Sequence, residues 1–419
     1  MTRTQEVAGH TMSEQSEPSA SEEASGEGPT SPVRGSLTAG VLRERSDDES
    51  RVALVPEDIA KLNAISIEVV VESGAGERSF FPDDSYARAG ATIVDRSQCL
   101  SRSNVILCVS RPDDNDVAVL DAGQVVVGTL SPLTDLEYVQ TLATRGITGV
   151  SFDLLPRTLS RAQSMDALSS QANIAGYKAA LLGASTFTRY FPLLMTAAGT
   201  ARPAEVLVLG AGVAGLQAIA TAHRLGASVR GYDVRPDAKE QVESLGGRFL
   251  ELKAVTDAAG EGGYARTLTE QETQALQVEL NGHIAKHDVV ITTAQVPGQR
   301  PPVLVTKEAI DAMKPGSVII DMGSSALGGN VETSRPAETF VTDGGVTIVG
   351  AENLASTMGM GASAMYSHNV SALVAHFVSE GKFVVDLEDE IQKGVVITHD
   401  GAVVNEATRA RLSTSSAER

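Results

Sequence analysis

A glycine-rich turn between an apolar strand and a helix constrains the fold more than any other feature of the sequence. The apolar run is Val206–Leu209, the helical pattern is Leu216–Leu225, and the turn between them is Gly210-Ala211-Gly212-Val213-Ala214-Gly215. In a Rossmann unit the first glycine makes the tight turn, the second lets the backbone approach a pyrophosphate, and the third allows close helix–strand packing. Unpaired N–H groups at the helix start would face the phosphates. The turn therefore predicts a dinucleotide site, and its alternative is a glycine turn that binds no nucleotide.

The strand after this helix ends in an acidic residue suited to a ribose. Asp233 closes the run that begins at Ser228, and Val234 and Arg235 follow it. Its spacing from the glycine turn is near the ~20 residues typical of the acid that binds ribose hydroxyls. A carboxylate there would repel a 2′-phosphate, so the sequence predicts NAD rather than NADP. Arg235 argues the other way if it accommodates that phosphate, and its alternative interpretation is a solvated residue at the next helix start.

Short β-branched runs alternate with helical patterns in two separate series, which is typical of parallel sheets covered by helices. The predicted strands are Leu37–Leu42, Ser66–Val71, Asn104–Val109 and Gln124–Gly128, then Val206–Leu209, Ser228–Asp233, Val289–Thr292, Val318–Asp321 and Val346–Val349. The predicted fold class is therefore α/β, with two Rossmann-like domains that contain parallel sheets. Long helices near 166–185 and 360–380 are expected to join them and to leave a ligand cleft between them.

The domain boundaries follow from composition and from these helices. Residues 1–36 are rich in Ser, Glu, Gly and Pro and are predicted to be a disordered acidic tail. We expect a first α/β domain from residues 37–168 plus about 355–405, and an NAD-binding Rossmann domain from residues 169–354. Residues 406–419 are expected to be a flexible C-terminal tail.

Charge and cysteine content exclude several classes of function. Lys and Arg number 34 against 53 Asp and Glu, which gives a net charge of −19 and opposes direct binding of nucleic acid or anionic lipid. Two cysteines, Cys99 and Cys108, cannot build a disulfide framework or a structural zinc site, so we predict reduced thiols and no metal. No apolar run approaches the ~20 residues of a membrane span. The chain is predicted to be soluble and cytoplasmic.

Three segments carry a more specific signal. They are 156–178, which begins with Pro156-Arg157, then 213–222, and then Lys239-Glu-Gln-Val-Glu-Ser-Leu-Gly-Gly247. Together these segments closely resemble the NAD(H)-binding α component of proton-translocating NAD(P) transhydrogenases, in the alanine dehydrogenase/transhydrogenase family. The resemblance extends over about residues 37 to 400.

The resemblance implies a function and a set of partners. In that family this component binds NAD(H), a separate β subunit binds NADP(H), and membrane subunits conduct protons while hydride passes directly between the two nicotinamides. The chain is therefore expected to be a cytoplasmic subunit that is peripheral to the inner membrane through its partners, and to form a homodimer. Strand-like pieces within 383–404 fit either an exchange across such a dimer or a terminal strand in their own subunit.

The resemblance also implies the residues of the site. It carries nicotinamide contacts to Gln163, Asp166 and Ser169, whereas the spacing alone favours the interpretation that these residues only cap the helix that follows. Compared with the family pattern, this sequence carries one extra residue between Arg157 and Gln163, which leaves open whether Arg157 or Arg161 faces the nicotinamide. The adjacent Pro156 favours Arg157. The remaining cofactor contacts that it implies are Gly263 and Tyr264 in a mobile loop, and Ala294 and Gln295 after a later strand.

The main alternative is an NAD-dependent alanine or other amino-acid dehydrogenase, and a third interpretation is a nucleotide-sensing protein without chemistry. The segment around Arg51 resembles alanine dehydrogenase, where the arginine would be a remnant of a carboxylate site or only a solvated loop cation. Such a dehydrogenase needs a lysine and a histidine in its first domain. No histidine occurs between His10 and His223. Hydride exchange between two nicotinamides needs no general base, so this pattern favours the transhydrogenase.

Overall fold

The computed structural model of the chain describes residues 37–253, 270–295 and 298–417. In chain order the strands are β1 Leu37–Val41, β2 Ile67–Glu72, β3 Thr92–Val94, β4 Val105–Ser110, β5 Val125–Thr129, β6 Thr148–Ser151, β7 Leu194–Thr196, β8 Gly199–Ala201, β9 Glu205–Leu209, β10 Ser228–Tyr232, β11 Arg248–Phe249, β12 Val289–Thr292, β13 Val318–Asp321, β14 Thr339–Val341, β15 Thr347–Gly350, β16 Val378–Ser379, β17 Lys382–Phe383, β18 Val396–His399 and β19 Ala402–Val403.

Helices cover these strands and connect them. The α-helices are α1 Pro56–Ala64, α2 Asp83–Arg88, α3 Arg96–Arg102, α4 Asp114–Val119, α5 Leu136–Thr144, α6 Ala167–Thr186, α7 Val213–Arg224, α8 Ala238–Ser244, α9 Glu270–Ile284, α10 Lys307–Asp311, α11 Gly359–Phe377, α12 Glu390–Val395 and α13 Glu406–Ala417. Short 3-10 turns occur at Glu77–Ser79, Phe152–Leu154, Ser160–Met165 and Ser356–Met358.

Two large sheets organise the chain, as the α/β prediction requires. The first has the strand order β19-β18-β6-β5-β4-β1-β2-β3, and all its pairs are parallel except those made by β18 and β19. The second has the order β11-β10-β9-β12-β13-β15-β14, with only β14 antiparallel among its described pairs. Strands such as Val105–Ser110 are apolar and buried on both faces, because helices cover both sides of a parallel sheet.

Two crossings connect the sheets. The first is helix α6, which packs on α7 so closely that a Cβ on Gly176 would lie 2.0 Å from the carbonyl oxygen of Ala214. The second is the segment after β15, which leads into α11. Helix α11 packs against the core of the first sheet, where the buried Tyr366 hydroxyl donates to the carbonyl oxygen of Cys108 at 3.0 Å. The chain thus returns to the sheet on which it began.

The C-terminal region differs in part from the sequence expectation. Strand β18 pairs with β6 of its own chain, with Val396 opposite Val150 and Thr398 opposite Gly149. A flexible tail is expected from residue 406, whereas the structure has helix α13 there. Asn405 stabilises its start because its side-chain oxygen accepts from the N–H of the buried Thr408 at 3.1 Å, as an N-cap does.

The α6–α7 contact predicts opposite effects for two helical glycines. Gly176→Ala places a Cβ against a backbone oxygen, so the two helices must separate, and we expect a loss of about 1–3 kcal/mol in the free energy of unfolding. Gly282→Ala is the matched control, since a Cβ there meets no described atom within 4 Å, and alanine favours a helix by about 0.5–1 kcal/mol. Urea unfolding measures both, and equal changes in the two variants would contradict the close-packed crossing.

Candidate functional site

The glycine turn after β9 has the geometry of a phosphate loop. Gly210 has a φ of +100°, which a residue with a side chain rarely adopts. A Cβ on Gly215 would lie 1.8 Å from the carbonyl oxygen of Gly210, so only glycine allows this approach of helix to strand. A Cβ on Gly212 would meet no described atom within 4 Å. This residue is the N-cap of α7, and no described side chain caps the helix there. The backbone at Gly212 therefore leaves room and N–H donors for an anion.

Asp233 follows β10 and closes the other side of this turn. Its carboxylate accepts from the N–H of Ala211 at 2.7 Å, from the N–H of Arg235 at 2.9 Å and from Arg235 Nε at 3.0 Å. Burial raises the pKa of Asp233, but the hydrogen bonds from Arg235 and Ala211 outweigh it and hold the pKa below its ordinary value. The carboxylate is therefore ionised at neutral pH. The neighbouring Val234 is exposed.

Arg235 is tied to the acid rather than extended into solvent. Besides its bonds to Asp233, its Nη2 donates to the carbonyl oxygen of Ala211 at 3.1 Å. A guanidinium paired with a carboxylate has part of its charge neutralised, so its attraction for a 2′-phosphate is reduced. This arrangement weakens the argument for NADP that the sequence left open.

A second polar cluster lies at the start of α6. Asp166 is the N-cap, and its Oδ1 accepts from the N–H of Ser169 at 2.9 Å. Arg157 Nε donates to Asp166 Oδ2 at 3.0 Å, and Arg157 Nη2 donates to Ser169 Oγ at 2.5 Å. The capping interpretation of Asp166 is therefore correct, and the same carboxylate also orients a guanidinium. We call Arg157, Asp166 and Ser169 the Arg157 cluster.

The two arginines of this loop lie in different surroundings. Arg161 pairs with Asp389 and Glu390 at the start of α12, each at 3.0 Å. Arg157 is therefore the arginine that joins Asp166 and Ser169. Gln163 lies between the two arginines and the helix start, on the 3-10 turn Ser160–Met165, and it is exposed.

The predicted contacts after β12 lie beside the glycine turn. Gln295 Nε2 donates to the carbonyl oxygen of Met322 at 2.7 Å. Ala294 is held on both sides by the buried Asn330, whose Oδ1 accepts from its N–H at 3.1 Å and whose Nδ2 donates to its carbonyl at 2.8 Å. Thr293 Oγ1 donates to the carbonyl oxygen of Gly210 at 3.0 Å. These contacts fix the loop to the turn. Gly263 and Tyr264 lie outside the described residues.

Sequence reasoning did not single out Asn330 and Thr293 as site residues. The available signal was the segment Gly328-Gly-Asn330, because an asparagine after two glycines is suited to a buried turn that binds backbone groups. Nothing local in the sequence connects Thr293 to Gly210, since the two residues meet only through neighbouring strands β9 and β12.

The first domain has its own cavity, of about 570 Å³, at the carboxyl ends of β4 and β5. Two arginines line it, and both are paired: Arg51 with Glu49 at 2.5 Å, and Arg111 with Asp135 at 2.7 Å. The other lining residues are Val109, Ser110, Thr129, Ser131, Thr134, Ala167, Leu168, Gln171 and Tyr366. The positive charges of this cavity are therefore already balanced by carboxylates of the chain.

In the described part of the chain, no group of three or more His, Cys, Asp or Glu side chains is arranged to hold a metal ion. No helix among the described residues has the length and apolar character needed to cross a membrane.

The turn, the acid after β10 and the two mainly parallel sheets define a class, the two-domain proteins with a Rossmann-type dinucleotide fold. Family models described as alanine dehydrogenase/PNT, N-terminal domain and C-terminal domain match residues 40–175 and 179–406. The chain therefore belongs to the alanine dehydrogenase/PNT family.

The relatives in this family include transhydrogenase subunits and alanine dehydrogenases. The first portion of the divided NAD(P) transhydrogenase subunit alpha of Rhodospirillum rubrum is 45% identical over 381 residues, which cover 88% of this chain and 98% of the relative. The subunit of the same name from Rickettsia prowazekii is 40% identical over 376 residues, which cover 88% and 97%. Alanine dehydrogenase of Mycolicibacterium smegmatis is 28% identical over 385 residues, which cover 90% and 97%. These identities support an oxidoreductase that is a transhydrogenase subunit.

Solved structures agree with this assignment. Transhydrogenase from Sinorhizobium meliloti matches with a TM-score of 0.79 and 41% identity, and the match covers 88% of this chain and all of that one. An L-alanine dehydrogenase matches with a TM-score of 0.76 at 24% identity, over 90% and 99% of the two chains, and supports the fold alone.

The geometry at Asp233 generates a binding prediction. Asp233→Ala removes a charged acceptor and releases Arg235, so NADH affinity should fall about ten- to a hundredfold, the range expected for a hydrogen bond to a charged group. Discrimination against NADPH should fall as well. Asp237→Ala, at an exposed acid four residues later, is the matched control. Calorimetric titration gives both affinities, and unchanged NADH binding in Asp233→Ala would remove this residue from the site.

Proposed function

We propose that the chain is the NAD(H)-binding catalytic subunit of a proton-translocating transhydrogenase. The observation that carries the proposal is the spacing along α6. This helix crosses the glycine turn at Gly176, and Asp166 lies ten residues earlier, about 15 Å away at ~1.5 Å per residue. An extended dinucleotide with its pyrophosphate at the turn would therefore reach the Arg157 cluster with its nicotinamide end.

The residues at the turn fit NAD(H). The open space at Gly212 and the N–H groups at the start of α7, where no described side chain caps the helix, suit the pyrophosphate, and ionised Asp233 suits ribose hydroxyls. When bound, NAD(H) supplies the hydride or accepts it. We propose further contacts from Gln163, Ala294 and Gln295, and from Gly263 and Tyr264, on the family resemblance.

The Arg157 cluster would orient the reacting ring. Asp166 and Ser169 hold the Arg157 guanidinium through side-chain oxygens at the helix start, which limits its motion and leaves its remaining N–H donors for a ligand. Hydride transfer moves one hydrogen with its electron pair from one ring carbon to the other. No O–H or N–H bond forms or breaks, so orientation and proximity suffice.

The second nucleotide and the membrane subunits would belong to partners. The relatives are named as one portion of a subunit alpha, which implies further subunits in their complexes. We propose that NADP(H) is bound by a separate β subunit, and that separate membrane subunits hold this chain at the cytoplasmic face of the inner membrane.

A homodimer is also proposed, and a hairpin supports it. Strands β7 and β8 form a two-stranded sheet of their own, and such a hairpin is only marginally stable without a packing partner. Apolar residues in the hairpin and just before it are exposed: Met195 on β7 by 77%, and Tyr190 and Leu193, which precede β7, by 59% and 55%. A second copy of the chain would cover them.

The cavity of the first domain does not favour alanine dehydrogenation. A substrate carboxylate would have to displace Glu49 from Arg51 or Asp135 from Arg111. The transhydrogenase relatives are also more similar to this chain than the alanine dehydrogenase is, at 45% against 28% identity. We therefore propose no dehydrogenase activity toward amino acids.

A kinetic experiment tests the catalytic proposal. The purified chain is mixed with an NADP(H)-binding β subunit, and hydride transfer from NADH to an NADP⁺ analogue of distinct absorbance is followed. Arg157→Met should lower this rate by about a hundredfold, the scale of a misoriented reactant. Arg161→Met is the matched control from the same loop and should retain most of the rate. Rapid oxidation of alanine by the chain without a partner would overturn the proposal.

A hydrodynamic experiment tests the dimer. Met195→Asp places a charge on the exposed hairpin, and burying an unpaired charge is costly, so the dimer should dissociate at concentrations where the parent remains dimeric. Analytical ultracentrifugation compares it with Val341→Asp, which alters an exposed apolar residue on β14. Identical sedimentation of the parent and Met195→Asp would contradict the hairpin interface.

A further inference from the structure

We infer that Arg51 is a positioning residue that sets the angle between the two domains. It lies on the loop between β1 and α1, and its guanidinium is bonded to both segments by which the chain crosses between the sheets. We call Arg51, Glu49, Gln171 and Asn353 the Arg51 hub. The effect on hydride transfer rests on the proposed function, whereas the effect on domain geometry does not.

The hub is centred on an ion pair inside the first domain. Arg51 Nε donates to Glu49 Oε1 at 2.7 Å, and Nη2 donates to Glu49 Oε2 at 2.5 Å. The side chains are 13% and 2% exposed, respectively. Burial raises the pKa of Glu49, but hydrogen bonds and charge from Arg51 outweigh it and keep the pKa below its ordinary value. A fork-to-fork pair of this kind has a defined orientation, so it is suited to fix neighbouring groups.

The same guanidinium reaches the first crossing. Arg51 Nη1 donates to Gln171 Oε1 at 3.0 Å, on the first turns of α6. Gln171 in turn donates from Nε2 to the carbonyl oxygen of Ala362 on α11 at 3.1 Å. Rotation of α6 away from the first domain would break both bonds.

It also reaches the second crossing. Arg51 Nη2 donates to Asn353 Oδ1 at 3.3 Å, three residues after β15. Asn353 Nδ2 donates back to Glu49 Oε2 at 3.2 Å and to the carbonyl oxygen of Asp48 at 3.1 Å. Asn353 has a φ of +47°, a conformation that asparagine adopts more readily than most residues. The return segment is therefore shaped to meet this loop.

Because one side chain is bonded to both crossings, it affects how the two domains meet. Hinges are a few residues at the ends of elements, and their dihedral angles decide how two domains meet. Here both candidate hinges, the start of α6 and the residues after β15, are bonded to one rigid planar group. The start of α6 also carries Asp166 and Ser169 of the Arg157 cluster, at a distance from the glycine turn that the helix itself fixes. The hub therefore sets how the first domain, which carries Arg157, meets this end of α6.

The experiment measures a distance between the two domains, which changes with the angle between them. Ser101→Cys on α3 and Ser244→Cys on α8 put one exposed thiol on each domain for spin labels. Native Cys99 and Cys108 are buried, and burial raises the pKa of the Cys99 thiol to about 12, so labelling is selective. We expect one narrow distance distribution in the labelled parent. In Arg51→Met it should shift or broaden by roughly 2 Å or more, the scale of domain rearrangements.

Two further variants keep the inference testable if Arg51→Met is unstable. Asn353→Gly tolerates the positive φ and removes only the contact of Arg51 with the second crossing. It should change the distance distribution in the same way as Arg51→Met does. Arg51→Lys keeps the charge but not the planar fork and should be intermediate. Arg88→Met, an exposed arginine that donates to Ser85 on α2, is the matched control and should match the parent.

Kinetics separates positioning from binding. In Asn353→Gly, hydride transfer with the β subunit should fall about tenfold or more in kcat, whereas NADH affinity should change little. An unchanged distance distribution in folded Arg51→Met and Asn353→Gly overturns the inference. A changed distribution with no hydride transfer in any variant, the parent included, overturns the proposed function and leaves the hub standing.

Discussion

The contact on which the site depends is the approach of two helix backbones at Gly176 and Ala214. Without a side chain at Gly176, α6 lies directly against the start of α7, where the glycine turn presents its N–H groups. One rigid helix therefore connects the place suited to phosphates with the Arg157 cluster at its other end. Helices transmit position better than loops do, so the distance between these two places is defined by the number of residues between them.

Several charged side chains of the first domain are paired with one another. Arg51 is paired with Glu49, and Arg96 bridges Glu72 and Asp116. Ion pairs of this kind orient neighbouring groups more than they add stability, because desolvation offsets most of their attraction. The first domain thus acts as a shaped wall of the cleft, and the residues proposed to contact the nucleotide lie mainly at the second sheet and along α6.

Much of this organisation was predictable from the sequence, because the determining patterns are local. Strand β9 and helix α7 follow from apolar periodicity around the glycine turn, and predicted strands such as Ser66–Val71 differ from the observed Ile67–Glu72 by one residue at each end. The arginine ambiguity could not be decided in this way. Arg161 forms ion pairs with Asp389 and Glu390, more than 200 positions later in the chain, and no local sequence pattern indicates such a pair. Helix α13 escaped prediction for a related reason, since a buried threonine and a cap stabilise it rather than an apolar face.

The return of the chain to its first sheet has a consequence for biosynthesis. Strand β6 keeps one unpaired edge until β18 has been made, whereas the strands of the second sheet lie together between Glu205 and Gly350. An emerging chain can therefore complete the second sheet while the first still exposes an edge of backbone donors and acceptors. All strands of the second sheet are made before the first sheet is complete, and a truncated product that ends before Val396 would carry an aggregation-prone strand edge.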